Sequence, residues 1–129
     1  MLIHGILNPH IHSLLGRVRH TNTLLIADRG FPFWPQVETI DITLVDDIPR
    51  VLDVLAAIRT NFKIGAAFMA SEFEAANSTE TRRHFAGALA GIPLTFEPHS
   101  QFRQRIPSTI GIIRTADTIQ YANILLESA

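Results

Sequence analysis

Six histidines occur in 129 residues, and four of them, His4, His10, His12 and His20, fall within the first twenty positions. Imidazole serves two chemistries, metal ligation and proton transfer near neutral pH. Ligation is poorly served here. A zinc or iron site needs three or four ligands converging at ~2 Å, whereas His10 and His12 at i, i+2 point to different sides of a helix, and neither a helical i, i+4 His pair nor an HExxH pattern occurs. His4, His10, His12 and His84 therefore read as surface or interface side chains. His20 stands apart, because it lies in the turn Arg19-His20-Thr21-Asn22-Thr23, between an apolar helical pattern and a β-leaning run that stops at Asp28. A histidine so placed is either a proton-transfer group or a structural hydrogen-bonding group. Asp28 is either a ligand for a polar substrate or a turn residue that bonds its own backbone. Spacing leaves both pairs of readings open.

Other signatures are missing. No GxSxG, GxxxxGK[ST] or GxGxxG occurs, so triad hydrolysis and nucleotide chemistry have no support. The lack of cysteine removes disulfides, thiolate nucleophiles and Cys-rich zinc sites together, and fits a reducing compartment. Eleven basic against twelve acidic residues give a formal net charge of -1, so neither nucleic acid nor acidic lipid is drawn by general electrostatics. The expected partner is small and neutral. Trp34 and the phenylalanines near it either stack on the apolar face of a sugar ring or plug an interface.

The elements that must position these groups are legible from period and punctuation. Asn8-Pro9 opens a helix carrying Ile11, Leu14, Leu15 and Val18 and ending near Arg19; Thr23 to Ala27 is a strand that delivers Asp28 at its carboxyl end. Val37 to Leu44 reads as a second strand. Asp46-Asp47-Ile48-Pro49 opens a helix with Val51, Leu52, Leu55 and Ile58 on one face, followed by a strand over Ile64 to Ala70. Asn77-Ser78-Thr79-Glu80 has the capping-box pattern and begins a helix to about Leu89. Strands over Leu94 to Glu97, Thr109 to Thr115 and Ala122 to Leu126, with a short helix from His99 to Arg105, complete the pattern. Alternating strands and helices over this length predict one α/β domain, residues 1–129, with a mostly parallel sheet flanked by helices and a ligand site at the strands' carboxyl ends. The start lacks a basic region ahead of an apolar stretch, and no run approaches the ~20 apolar residues of a membrane helix, so a cytoplasmic protein with no membrane partner is expected. A hydrophobic share of 47% against 18% charged residues exceeds what a small monomer needs and favours a homo-oligomer with buried faces.

At His20-Thr21-Asn22-Thr23-Leu24 and Asp28-Arg29-Gly30-Phe31-Pro32 the chain resembles the D-ribose pyranase and L-fucose mutarotase family, and it sits closer to the ribose branch. Ile40-Asp41, Leu44, Pro49, Ala66-Ala67, Glu72 and Asn77 continue the likeness, and so do His99, Phe102 and Arg103. Ile113-Arg114-Thr115-Ala116-Asp117 and Tyr121-Ala122-Asn123-Ile124-Leu125-Leu126 close it, so the match runs in order over nearly the whole chain. The resemblance implies a ribose pyranase-like α/β fold and a decamer of two pentameric rings with sites shared between subunits. It implies that His20 is the proton donor and that Asp28 and His99 hold sugar hydroxyls. Arg103 falls where the ribose branch has Lys, and Tyr121, Ala122 and Asn123 close the site from an adjacent subunit. No metal or other cofactor is implied.

Several positions depart from the family pattern. Asn22 replaces Asp, Arg19 and Arg29 stand where small residues are usual, Trp34 replaces Pro, and Ala116, Asp117 and Gln120 replace Gly, Glu and Pro. The expected activity is opening and reclosing of a monosaccharide ring by general acid/base proton transfer. The departures motivate an alternative, a non-catalytic sugar-binding or regulatory partner of a sugar transporter or kinase. A histidine-rich metal protein is the third reading.

Overall fold

The computed structural model describes residues 1–129. In chain order the elements are α1 (Pro9–Arg17), β1 (Thr23–Ala27), β2 (Thr39–Asp41), α2 (Val51–Arg59), β3 (Ile64–Ala70) and α3 (Glu72–Ala76). They continue with α4 (Thr79–Ala88), β4 (Leu94–Glu97), α5 (His99–Arg103), a 3₁₀ turn (Ile106–Ser108), β5 (Gly111–Arg114) and β6 (Ile124–Ser128).

The sheet has six strands in the order β2-β5-β1-β6-β3-β4. Five run in one direction, as the sequence predicts, while β6 lies antiparallel between β1 and β3. The connection explains the exception. Residues 115–123 between β5 and β6 contain no helix, and a chain that returns to the sheet without a crossover comes back antiparallel. β1 is an unbroken apolar run because both of its faces are covered. Leu24 and Ile26 enter a core of 20 buried residues that α1, α2, α3 and α4 help to build, while Leu25 enters a smaller one of eight with Phe31, Val37, Phe102 and Ile106. Beside that thinner layer Arg105 lies 3.9 Å from the Phe68 ring centroid and makes a two-point ion pair with Glu97, which is 6% exposed.

Two helix starts, those of α1 and α4, follow side-chain caps. The Asn8 side chain accepts from the N–H groups of His10 and Ile11 at 2.9 and 3.0 Å, with Pro9 at the first position. Several boundaries differ from expectation: β2 covers only Thr39–Asp41 of the expected Val37 to Leu44, and β5 only Gly111–Arg114 of Thr109 to Thr115. Asp46–Pro49 does not open α2 but forms a tight turn, because the Asp47 carboxylate is taken by the N–H and hydroxyl of Thr118, at 3.0 and 2.8 Å. The N-cap of α4 is Ser78, which accepts from Thr81 N–H at 3.2 Å, and Asn77 instead ends α3. That five-residue helix gave no periodic signal, since one turn is shorter than the repeat that would reveal it. The last strand begins at Ile124 rather than Ala122.

Candidate functional site

A cleft of about 460 Å³ opens at the carboxyl edge of the parallel strands, where the sequence places it. Asp28, one residue past β1, forms its floor at 9% exposure. One carboxylate oxygen accepts from Gly30 N–H at 3.0 Å, and the other accepts from Asn123 Nδ2 at 3.1 Å. The Asn123 amide oxygen in turn accepts Asp28's own N–H at 2.8 Å, so the two residues are held reciprocally. The reversed strand makes this pairing possible. Because β6 runs antiparallel to β1, the residue before its start reaches the same edge as the residue after β1's end. Burial pushes the Asp28 carboxyl above the ordinary carboxylate range, and the charge of Asp117 adds to that, against the hydrogen bonds from Gly30, Asn123 and Phe31.

His99 begins α5 and reaches the cleft from the end of β4. Its ring stacks on Phe102 at 6.2 Å and meets Tyr121 edge-on at 5.4 Å and 74°. Its Nδ1 is buried with no hydrogen-bond partner. Tyr121 adopts φ 56°, a left-handed conformation uncommon for a bulky residue and concentrated at functional sites.

Asp117, part of the Ile113-Arg114-Thr115-Ala116-Asp117 motif, is 1% exposed. Its oxygens accept from Val51 N–H and Ile119 N–H, each at 2.9 Å, so it caps α2 and folds back the loop carrying Tyr121. Nothing in its local sequence distinguished it, because its partner Val51 lies 66 residues away. Arg29 stands on the rim with its charge engaged by Asp46 at 2.6 Å. Carboxylate, imidazole, phenol and amide thus converge on one cleft that presents many hydrogen-bonding positions and little free charge. This suits a small, neutral, polyhydroxylated ligand.

The structure does not bring all the expected residues together. Tyr121 and Asn123 line the same chain's cleft as Asp28 and His99. Ala122 is fully buried in the large core and lines nothing of the cleft. Arg103 lies outside the lining, with its guanidinium 5.7 Å from the Trp34 ring, and Trp34 packs against the smaller core. His20 is exposed and stands at the opposite end of β1 from Asp28. Five strand residues at ~3.3 Å each separate the two ends by about 16 Å. The four other histidines outside the cleft, His4, His10, His12 and His84, are exposed as expected.

The His20 turn is closely held. Arg19 N–H donates to Asn22 Oδ1 at 2.9 Å, Asn22 N–H donates to Arg19 O, and Thr21 N–H donates to Ser128 O at 3.0 Å. The Asn22 amide oxygen is the acceptor that closes this turn. Thr21, beside His20, takes φ 65°, an outlier for a β-branched residue.

The pattern of the RbsD / FucU transport protein family matches residues 1–129. The chain belongs to that family. It is 36% identical over 124 residues to the D-ribose pyranase of Geobacillus kaustophilus, covering 96% of this chain and 90% of that one. With the D-ribose pyranase of Halalkalibacterium halodurans the identity is 35% over 127 residues, covering 97% and 95%. Among solved structures, Bacillus subtilis RbsD complexed with D-ribose superposes with a TM-score of 0.92 at 28% identity, over 100% of this chain and 98% of that one. The fucose mutarotase of Streptococcus pneumoniae, in complex with L-fucose, shares the fold with a TM-score of 0.76 at 18% identity, over 99% and 98%. The likeness to the family therefore extends over the cleft and the His20 turn alike.

Proposed function

We propose that this chain is a sugar mutarotase that opens and recloses the ring of a monosaccharide, D-ribose or a close relative, exchanging anomers or pyranose and furanose forms. The observation that carries the reading is the cleft built on the Asp28–Asn123 pair, in a fold shared along its full length with a protein complexed with D-ribose. Ring opening removes the proton of the anomeric hydroxyl, breaks the bond from the anomeric carbon to the ring oxygen, and returns a proton to that oxygen. Reclosing reverses these steps with a different hydroxyl or on the other face. Asp28, Asn123, Tyr121 and His99 hold the hydroxyls, Asp28 through charge-assisted bonds once ionised. His20 moves the proton, a task for which imidazole is matched near neutral pH.

His20 and Asp28 of one chain stand too far apart to meet on one sugar, so we place His20 in the cleft of a neighbouring copy. Exposed Leu2, Ile3, Leu7, Leu44, Val45 and Ile48 supply apolar surface for an assembly, which we read as two paired pentameric rings. No helix is long and apolar enough to cross a membrane, and the cysteine-free composition fits a cytoplasmic enzyme.

Exchange NMR of ribose, fucose and related sugars tests the reading. Faster interconversion of ring forms or anomers is expected for one of them. Sugar binding with no acceleration of any would select the non-catalytic partner instead.

A further inference from the structure

Glu72 and Asn77 stand at the two ends of α3, the short helix with no role in the chemistry above. Phe73, 1% exposed, anchors that helix against Phe85 at 4.7 Å and Phe96 at 6.5 Å between ring centroids. From this anchored base two polar arms reach the walls of the cleft.

At one end both Glu72 carboxylate oxygens accept the main-chain N–H of His99, at 3.0 and 3.1 Å. The Ser71 hydroxyl donates to the same carboxylate at 3.1 Å. The residue before α5 is Pro98, which provides no side-chain cap, so the first N–H of α5 would lack a partner without Glu72. Burial opposes ionisation of Glu72, but the N–H groups of His99 and of Glu72 itself and the Ser71 hydroxyl outweigh it and hold this carboxyl below its ordinary range. At the other end Asn77 Nδ2 donates to Phe73 O and to Gln120 O, both at 2.9 Å. Gln120 lines the cleft and immediately precedes Tyr121, whose left-handed backbone needs support from its surroundings.

The two arms therefore hold opposite partners of the His99–Tyr121 ring contact. We propose that α3 is a brace for the cleft, in which Glu72 and Asn77 are positioning residues that set the separation of His99 from Tyr121. The inference deepens the sugar-binding reading and rests on it for its kinetic consequences. Neither residue lines the cleft, so each acts through another side chain.

The test is a set of variants measured for sugar exchange and for ring NMR signals of His99 and Tyr121. Glu72→Ala and Asn77→Ala are each expected to raise KM about tenfold with kcat changed less than threefold, and to shift the ring signals. Glu72→Gln keeps one acceptor oxygen and is expected to restore most of the affinity. In a His99→Ala background, Glu72→Ala is expected to add nothing further to KM, because its effect passes through His99. Wild-type KM and unmoved ring signals in both alanine variants would overturn the brace. So would an undiminished Glu72→Ala effect in the His99→Ala background, which would mark a general structural role. If the wild-type protein accelerates no sugar, the mutarotase reading fails separately, and the ring signals still decide the brace.

Discussion

The two ends of β1 carry polar motifs only eight residues apart, and the fold treats them in opposite ways. At the carboxyl end Asp28 is buried, its carboxyl raised by desolvation, and its oxygens are held by Gly30 and by Asn123, 95 residues away. At the amino end His20 is exposed, in a turn closed by its neighbours Arg19 and Asn22 and tied to Ser128. One end is built to bind, with Asp28, His99, Tyr121 and Asn123 around a cleft. The other offers the exposed His20 and lacks a cleft. In the proposed mechanism the two halves of the site lie at opposite ends of β1, and a neighbouring copy joins them.

The sharpest way to break this division of labour is His20→Ala, expected to lower sugar exchange ~10²–10⁴-fold while sugar binding and assembly size persist. Exchange NMR beside light scattering and calorimetry would show it, and full activity would remove His20 from the mechanism. Mixing comes next. His20→Ala and Asp28→Ala chains, each impaired alone at low sugar concentration, should regain exchange when dissociated and reassembled together, because some clefts then receive an intact His20 from one chain and an intact Asp28 from the other. A mixture no more active than its parts would show that the halves do not meet between copies.

At the binding end, Asp28→Ala removes a charge-assisted contact worth ~1.5–3 kcal/mol and should weaken sugar binding roughly ten- to hundredfold. The same carboxyl sets a pH limit. Its folded pKa lies above the unfolded value, so ionised Asp28 costs stability that is recovered as pH falls through the raised pKa, while sugar affinity is lost over that same window. Titrating affinity and melting temperature together in the wild-type protein should show the opposed trends, and Asp28→Ala should flatten both. The smallest effect belongs to the turn. Thr21→Gly relieves the φ 65° strain and should stabilise the fold by about 1 kcal/mol or less in denaturant titration, with some loss of exchange as the His20 turn loosens.

How much of this was legible in the sequence depended on how far apart the interacting residues are. Asn8-Pro9, the run from Thr23 to Asp28 and the Ile64–Ala70 and Leu94–Glu97 strands were readable because caps, breakers and apolar periods act over a few residues. The α3 helix escaped notice because one turn has no period. The reading that Asp46 opens α2 failed because Asp47 is engaged by Thr118, 71 residues away. In the site, the identities of Asp28, His99, Tyr121 and Asn123 were available from ordered motifs, whereas Ala122 and Arg103 fall outside the lining of this chain's cleft.

The sequence by itself determined the α/β class, the strand that delivers Asp28, and a composition with no thiol chemistry and no strong net charge. These follow from side-chain type and short-range backbone preference, which a linear chain already contains. Only the tertiary structure decided that β6 turns back antiparallel, since that depends on how a helix-free loop returns across a sheet already formed. That one reversal puts Asn123 on Asp28 and draws Tyr121 against His99. Hydrogen bonds spanning 95 residues are fixed by packing, and no local pattern records them.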